Sequence, residues 1–172
     1  MQPLHIPYML KNEPFEKLLL SYRPIEKLGH YPPRLSFGLA IPREFIQFRR
    51  VALENNLGDP EELNTTKSWF GLQDIVMPYL NERCGLLPEE SIDCGHVHSR
   101  QAVLVLELQT NYRGRVPKEK ADGVIRMIKE VFQLPDDAKP KWYLEVDIDL
   151  KEPDEYLFPS KFPYSTAVRR RI

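Results

Sequence analysis

The sequence predicts an α+β fold: a small mixed β-sheet with helices mainly on one face, in the order β-α-α-β-α-β. Three observations predict it. The stretches "RLSFGLAI" and "WYLEVDIDL" alternate apolar and polar residues, a near-continuous apolar run from Ala102 to Leu106 lies between them, and the intervening segments carry apolar residues at helical spacing.

In the first strand Leu35, Phe37, Leu39 and Ile41 share one side, opposite Arg34, Ser36, Gly38 and Ala40, so one face is buried. Pro42 suits the first turn of a helix, and "REFIQFRRVALENN" places Phe45, Phe48 and Ala52 at helical spacing before Gly58, which is expected to close it. "DPEEL" is a second start signal: Asp59 can cap, Pro60 fits the first position and Glu62 sits at capping-box distance. "TKSWFGLQDIVMPYLNERCG" brings Trp69, Leu72, Val76 and Leu80 to one face, with Pro78 expected to kink or shorten the helix and Gly85 to stop it.

A turn-rich link, "LLPEESIDCG", leads into "QAVLVLELQTNY", which reads as a central strand covered on both faces. The helix over "PKEKADGVIRMIKEVFQL" is the clearest in the chain. Ala121, Val124, Ile125, Ile128, Val131 and Phe132 form its stripe, Asp122, Arg126 and Glu130 stand at i,i+4 spacing opposite, and Pro135 ends it. If the strands it joins are parallel, the crossover is right-handed.

The 172 residues suffice for one domain with its own core. Residues 34–151 form its body. Sixteen prolines against eight glycines crowd both ends, so residues 1–33 and 152–172 read as Pro/aromatic-rich arms lying on the body. A C-terminal arm anchored by Phe158 and Phe162 would bring Arg169, Arg170 and Arg171 near the acidic side of the last strand; the alternative is a frayed basic end.

Hydrophobic residues at 42% and charged residues at 28% describe a soluble globular chain. No apolar run is long enough to cross a bilayer, and the amino terminus lacks a basic region followed by an apolar one, so a cytoplasmic location is expected. There Cys84 and Cys94 remain thiols. A net charge of -1 gives no general attraction to phosphate backbones, so nucleic acid is not an expected partner.

Two constellations suggest chemistry. In "CGHVHSR", Cys94, His96 and His98 would share one face of a strand, as candidate ligands of a divalent transition metal, with Cys84 a possible fourth, or with His96 and His98 as acid/base groups. The spacing matches no zinc signature, so the bland reading is a buried thiol and two histidines at the start of a strand. If register is unbroken, these even positions share a face with Leu104, Leu106 and Leu108.

In "LEVDIDLK", Glu145, Asp147 and Asp149 line one face, and the preferred reading is solvated. Asp149-Leu-Lys151 after Pro135-Asp136 resembles the order of the PD-(D/E)xK nuclease pattern, but both halves feed a single strand where that family uses two. Residues 118–147 resemble in pattern the second half of tautomerase-superfamily folds. Those enzymes use an amino-terminal proline exposed by removal of the initiator methionine, and here Gln2 precedes Pro3, so no catalytic proline carries over.

"NYRGRVPK" gathers Arg113, Arg115 and Lys118 before a helix, where an anion could dock, but the preferred reading is a solvated basic turn. Motifs for nucleoside triphosphates, dinucleotides, serine hydrolases and zincins are absent. The expectation is therefore a binding or interaction domain for a protein or small-molecule ligand. The alternative is a small enzyme with a pocket near the start of the central strand, using His96 and His98.

Overall fold

The computed structural model describes residues 14–29, 32–66, 69–99 and 102–145, apart from the side chain of His98. It is an α+β protein. The elements run β1 (Leu35–Ala40), α1 (Glu44–Glu54), α2 (Pro60–Thr65), α3 (Trp69–Arg83), β2 (Asp93–His98), β3 (Leu104–Thr110), α4 (Lys118–Phe132) and β4 (Lys141–Glu145).

The four strands close on themselves in the order β1-β3-β2-β4. All four ladders are antiparallel, so the mixed pairing expected of the sheet is not realised. The reason is topological: α4 carries the chain past a neighbour, so β3 and β4 run the same way without pairing, and β1 and β2 each lie between them. Among the described residues the β2–β4 seam is the shortest ladder, with Val97 opposite Glu145 and His98 opposite Leu144.

Period-2 alternation then divides the side chains between outside and inside. Leu39, Leu104, Leu106 and Leu108 point outward into the main core with Phe48, Leu72, Leu80, Val124, Ile128 and Phe132 from the helices. Ala40, Val97, Val105 and Tyr143 gather on the opposite face, the interior of the closed sheet. A small four-stranded barrel leaves little room there, and β1 and β2 supply Ser36, Gly38 and Gly95. A Cβ on Gly38 would stand 1.9 Å from the Leu106 carbonyl oxygen, at the point where the β1–β3 register shifts, so this bulge needs glycine.

The outer side of β1 and β4 is covered from the amino-terminal side. Phe15 exchanges backbone hydrogen bonds with Trp142, at 3.1 and 2.8 Å, and Phe15 and Tyr22 pack with Leu35, Trp142 and Leu144. Asn111 ties this layer down. Its Oδ1 accepts from the Leu35 N–H at 2.9 Å, and its Nδ2 donates to the carbonyls of Tyr22 and Pro33.

The helix ends follow local chemistry. Asp59 caps α2 by accepting from the N–H of Glu61 at 2.7 Å. α1 closes at Asn56, not at Gly58: Asn56 is left-handed at φ 54, and Leu57 N–H donates back to the Ala52 carbonyl, a role open to asparagine as well as glycine. α3 runs through Pro78 to Arg83. The carbonyl that the proline cannot engage belongs to Asp74, and both residues are exposed, where water can satisfy it. Gly85, at φ 62, ends that helix. On α4, Glu130 pairs with Arg83 of α3 at 3.0 Å, in place of a partner on its own helix. The predicted carboxyl-terminal arm, with Phe158, Phe162 and its three arginines, lies outside the described residues.

Candidate functional site

β2 carries the first constellation, and parity holds: Cys94 packs against the helix-side core, where its Sγ lies 3.3 Å from Met77 Sδ. Burial and the nearby carboxylates Asp93 and Glu107 push its thiol far above the ordinary range. His96 projects to the same side, between Trp69 and the exposed ring of Phe70. The Trp69 indole N–H donates to His96 Nε2 at 3.1 Å, so the imidazole carries its proton on Nδ1. Burial lowers its pKa, partly opposed by the Glu44 carboxylate.

His96 is thus a neutral ring whose Nε2 lone pair is occupied. The side chain of His98 lies outside the described residues, so the predicted His96–His98 pair and the Cys94, His96 and His98 ligand set are not assembled in what is described. Among the described residues no three His, Cys, Asp or Glu side chains are grouped to hold a metal ion. Cys84 is a free thiol at the end of α3, pushed up to about 11 by burial.

The second constellation is placed differently from expectation. Asp147, Asp149 and Lys151 lie outside the described residues, but Glu145 does not face solvent: its side chain is 13% exposed. It turns into one end of the barrel, toward Glu107 of β3, whose side chain is 2% exposed. Ser36 of β1 stands between the two. Its hydroxyl is 2.5 Å from Glu107 Oε2 and is also hydrogen-bonded to Glu145 Oε1. Gly95 of β2 makes room, since a Cβ there would stand 2.8 Å from the Ser36 hydroxyl.

Two guanidiniums surround the carboxyls. Arg34 places Nε 2.9 Å from Glu145 and a terminal nitrogen 3.5 Å from Glu107. Arg115 places Nε 2.7 Å from Glu107 and a terminal nitrogen 3.0 Å from Asp93. Both Nε–H groups lie off the hydrogen-bonding line to these oxygens, so the contacts act as charge pairs more than as aligned forks. Arg115 is one of the three basic residues of the turn expected to be solvated or to dock an anion, and the anions it meets are the protein's own. Arg113 and Lys118 are exposed.

The charges do not cancel if every group is ionised: among the described residues Asp93, Glu107 and Glu145 face Arg34 and Arg115. Burial, followed by the Glu107 charge, raises the Glu145 carboxyl to about 8 against the pull of Arg34 and Ser36. Protonated Glu145 makes the cluster neutral at pH 7.

A third feature lies on the helix layer. Phe48, Val51 and Ala52 bury one side of α1, whereas Ile46 is 61% exposed on the other. With Arg49, Arg50, Leu53 and Glu54 it lines an open, mainly apolar groove of about 380 Å³. Arg50 is fully engaged, by Glu54, Gln47 and the Val131 carbonyl. Arg49 reaches the Thr66 carbonyl at 2.6 Å and lies 4.6 Å over the Phe45 ring. Among the described residues Arg49 has no carboxylate partner. No helix of the described residues is long and apolar enough to cross a membrane.

No protein family, curated protein or solved structure matches the chain, and the reading of these sites rests on their own geometry.

Proposed function

We propose that the chain is a binding domain for a protein partner, which lays an amphipathic helix bearing a carboxylate along the outer side of α1. The observation that supports this reading is the groove on α1: Ile46 and Leu53 line it seven residues apart, with the carboxylate-free Arg49 between them. Seven residues are two turns, about 10 Å, the repeat at which a partner helix presents its own i and i+7 side chains. The groove is shallow and open, whereas small ligands are usually held in enclosed concavities. The Arg49 guanidinium, without a carboxylate partner among the described residues, favours an acidic partner over a second copy of this surface, whose own Arg49 would oppose it.

The test is a titration with a synthetic helical peptide carrying leucines at i, i+4 and i+7 and glutamates beside them, followed by backbone amide NMR. Saturable shifts centred on Ile46, Arg49 and Leu53, lost in Ile46→Asp and weakened in Arg49→Glu, are expected. Equal binding of a lysine-substituted peptide, or no shifts on α1, would overturn the proposal. So would self-association of the protein through Ile46, since the occupant would then be a second copy.

A further inference from the structure

We propose that Glu107 and Glu145 share one proton through Ser36, and that this proton is a latch holding the β2–β4 seam closed. The Ser36 hydroxyl has a single hydrogen, yet its oxygen is within hydrogen-bond reach of both carboxyls. It can donate to one and must accept from the other. Only a protonated carboxyl can donate to it, so the geometry holds a proton that neither side chain keeps when ionised.

The groups facing Glu145 from the surrounding elements are Glu107 on β3, with Arg34 and Ser36 at β1. Behind Glu107 lie Arg115 and, on β2, Asp93. With the proton, two carboxylates meet two guanidiniums. When the carboxyl O–H bond breaks and the proton passes to hydroxide in solvent, a third carboxylate remains at this buried end of the barrel. Relief is available locally, because among the described residues Glu145 lies in the shortest ladder, opposite Val97. The other edge of β4 is held by four residue pairs to β1, while Phe15 pairs with Trp142 on the same edge as the seam, next to it. The seam therefore opens while β4 stays attached to β1.

Linkage fixes the form of the response. The closed state holds the proton up to about 8, whereas a solvated glutamate releases it near the ordinary carboxylate value. Between those limits the opening constant rises about tenfold per pH unit, and above the upper one it levels off. The N–H groups of Val97 and Glu145 point away from the seam, to the Val103 and Arg34 carbonyls. Hydrogen exchange at the amides of the pair that faces across it, His98 and Leu144, corrected for intrinsic rates and followed from about pH 6 to about pH 9, therefore reads this directly. Protection is expected to fall up to about tenfold per unit and then flatten, while Glu145→Gln, a permanently neutral isostere, stays level. Level protection in the native protein, or the same fall in Glu145→Gln, would overturn the latch. If that variant fails to fold, the side-chain carboxyl carbons of 13C-glutamate-labelled native protein decide: the carboxyls bridged by Ser36 must still hold one proton at neutral pH, and its loss already at pH 6 would overturn the proposal.

Discussion

The Trp69 indole N–H donates to His96 Nε2 at 3.1 Å, a bond that only the neutral imidazole can accept. It acts in the same direction as burial, which lowers the pKa of this histidine. Trp69→Phe keeps an aromatic ring beside Phe48 and His96 but removes the donor. The His96 pKa should then rise toward the ordinary histidine value, as read from its ring-proton shifts. A value unchanged or lowered would mean that the indole does not hold the neutral tautomer.

Both cysteines should be slow nucleophiles. Cys84 is raised to about 11 and Cys94 further still, each chiefly by burial, and it is the thiolate that reacts. With iodoacetamide near pH 8, Cys84 should label on the order of a hundredfold more slowly than an exposed thiol, and Cys94 more slowly again until the protein unfolds. Rapid labelling of Cys94 in the folded protein would contradict its packing against Met77.

Two glycines inside the barrel should differ in their tolerance of a methyl group. At Gly38 the new Cβ meets a backbone oxygen at 1.9 Å, which cannot move without opening the β1–β3 ladder. At Gly95 the nearest atom is the Ser36 hydroxyl at 2.8 Å, a side-chain atom. Gly38→Ala should cost ~3 kcal/mol or more in chemical unfolding, and Gly95→Ala ~1–3 kcal/mol with loss of the Ser36 bridge. Equal costs, or a larger one at Gly95, would misplace the barrel interior.

Much of this arrangement was legible because it is local. The α4 stripe and the Asp59 cap depend on neighbours within a few residues, and both stand in the structure. The alternation of β1 sets its two sides, but burial is not confined to one of them as expected, because Ser36 and Gly38 are enclosed by the closed sheet. The even-residue parity that sets Cys94 and His96 on the helix side also follows from the strand alone. Closure of the sheet is not local. The alternation around Glu145 looks the same whether its polar side meets water or the guanidinium of Arg34, which is 111 residues away in sequence. Glu107 gave one readable signal: it follows an apolar run expected to be covered on both faces, so burial was implied. Its partners Arg34, Ser36 and Arg115 come from other segments, and only the register brings them together.

The pH dependence of stability separates the two buried titrating sites. Glu145 is raised in the folded state, so its contribution is fully present below the unfolded glutamate value of 4.5 and is lost as pH rises through about 8. His96 is lowered, so its contribution is present above the unfolded value of 6.5 and is lost as pH falls toward the folded one. Below 6.5 the two oppose each other. Between 6.5 and about 8 the Glu145 slope acts without that opposition, and one group can remove at most ~1.4 kcal/mol per pH unit. Cys84 ionises only at higher pH, and Glu90, whose value is lowered by Lys120, matters only in acid. The apparent Tm should therefore decline from pH 6.5 to about 8 in the native protein and remain nearly level over that range in Glu145→Gln. A native Tm that holds steady or climbs over the same interval would show that Glu145 is already ionised in the folded barrel.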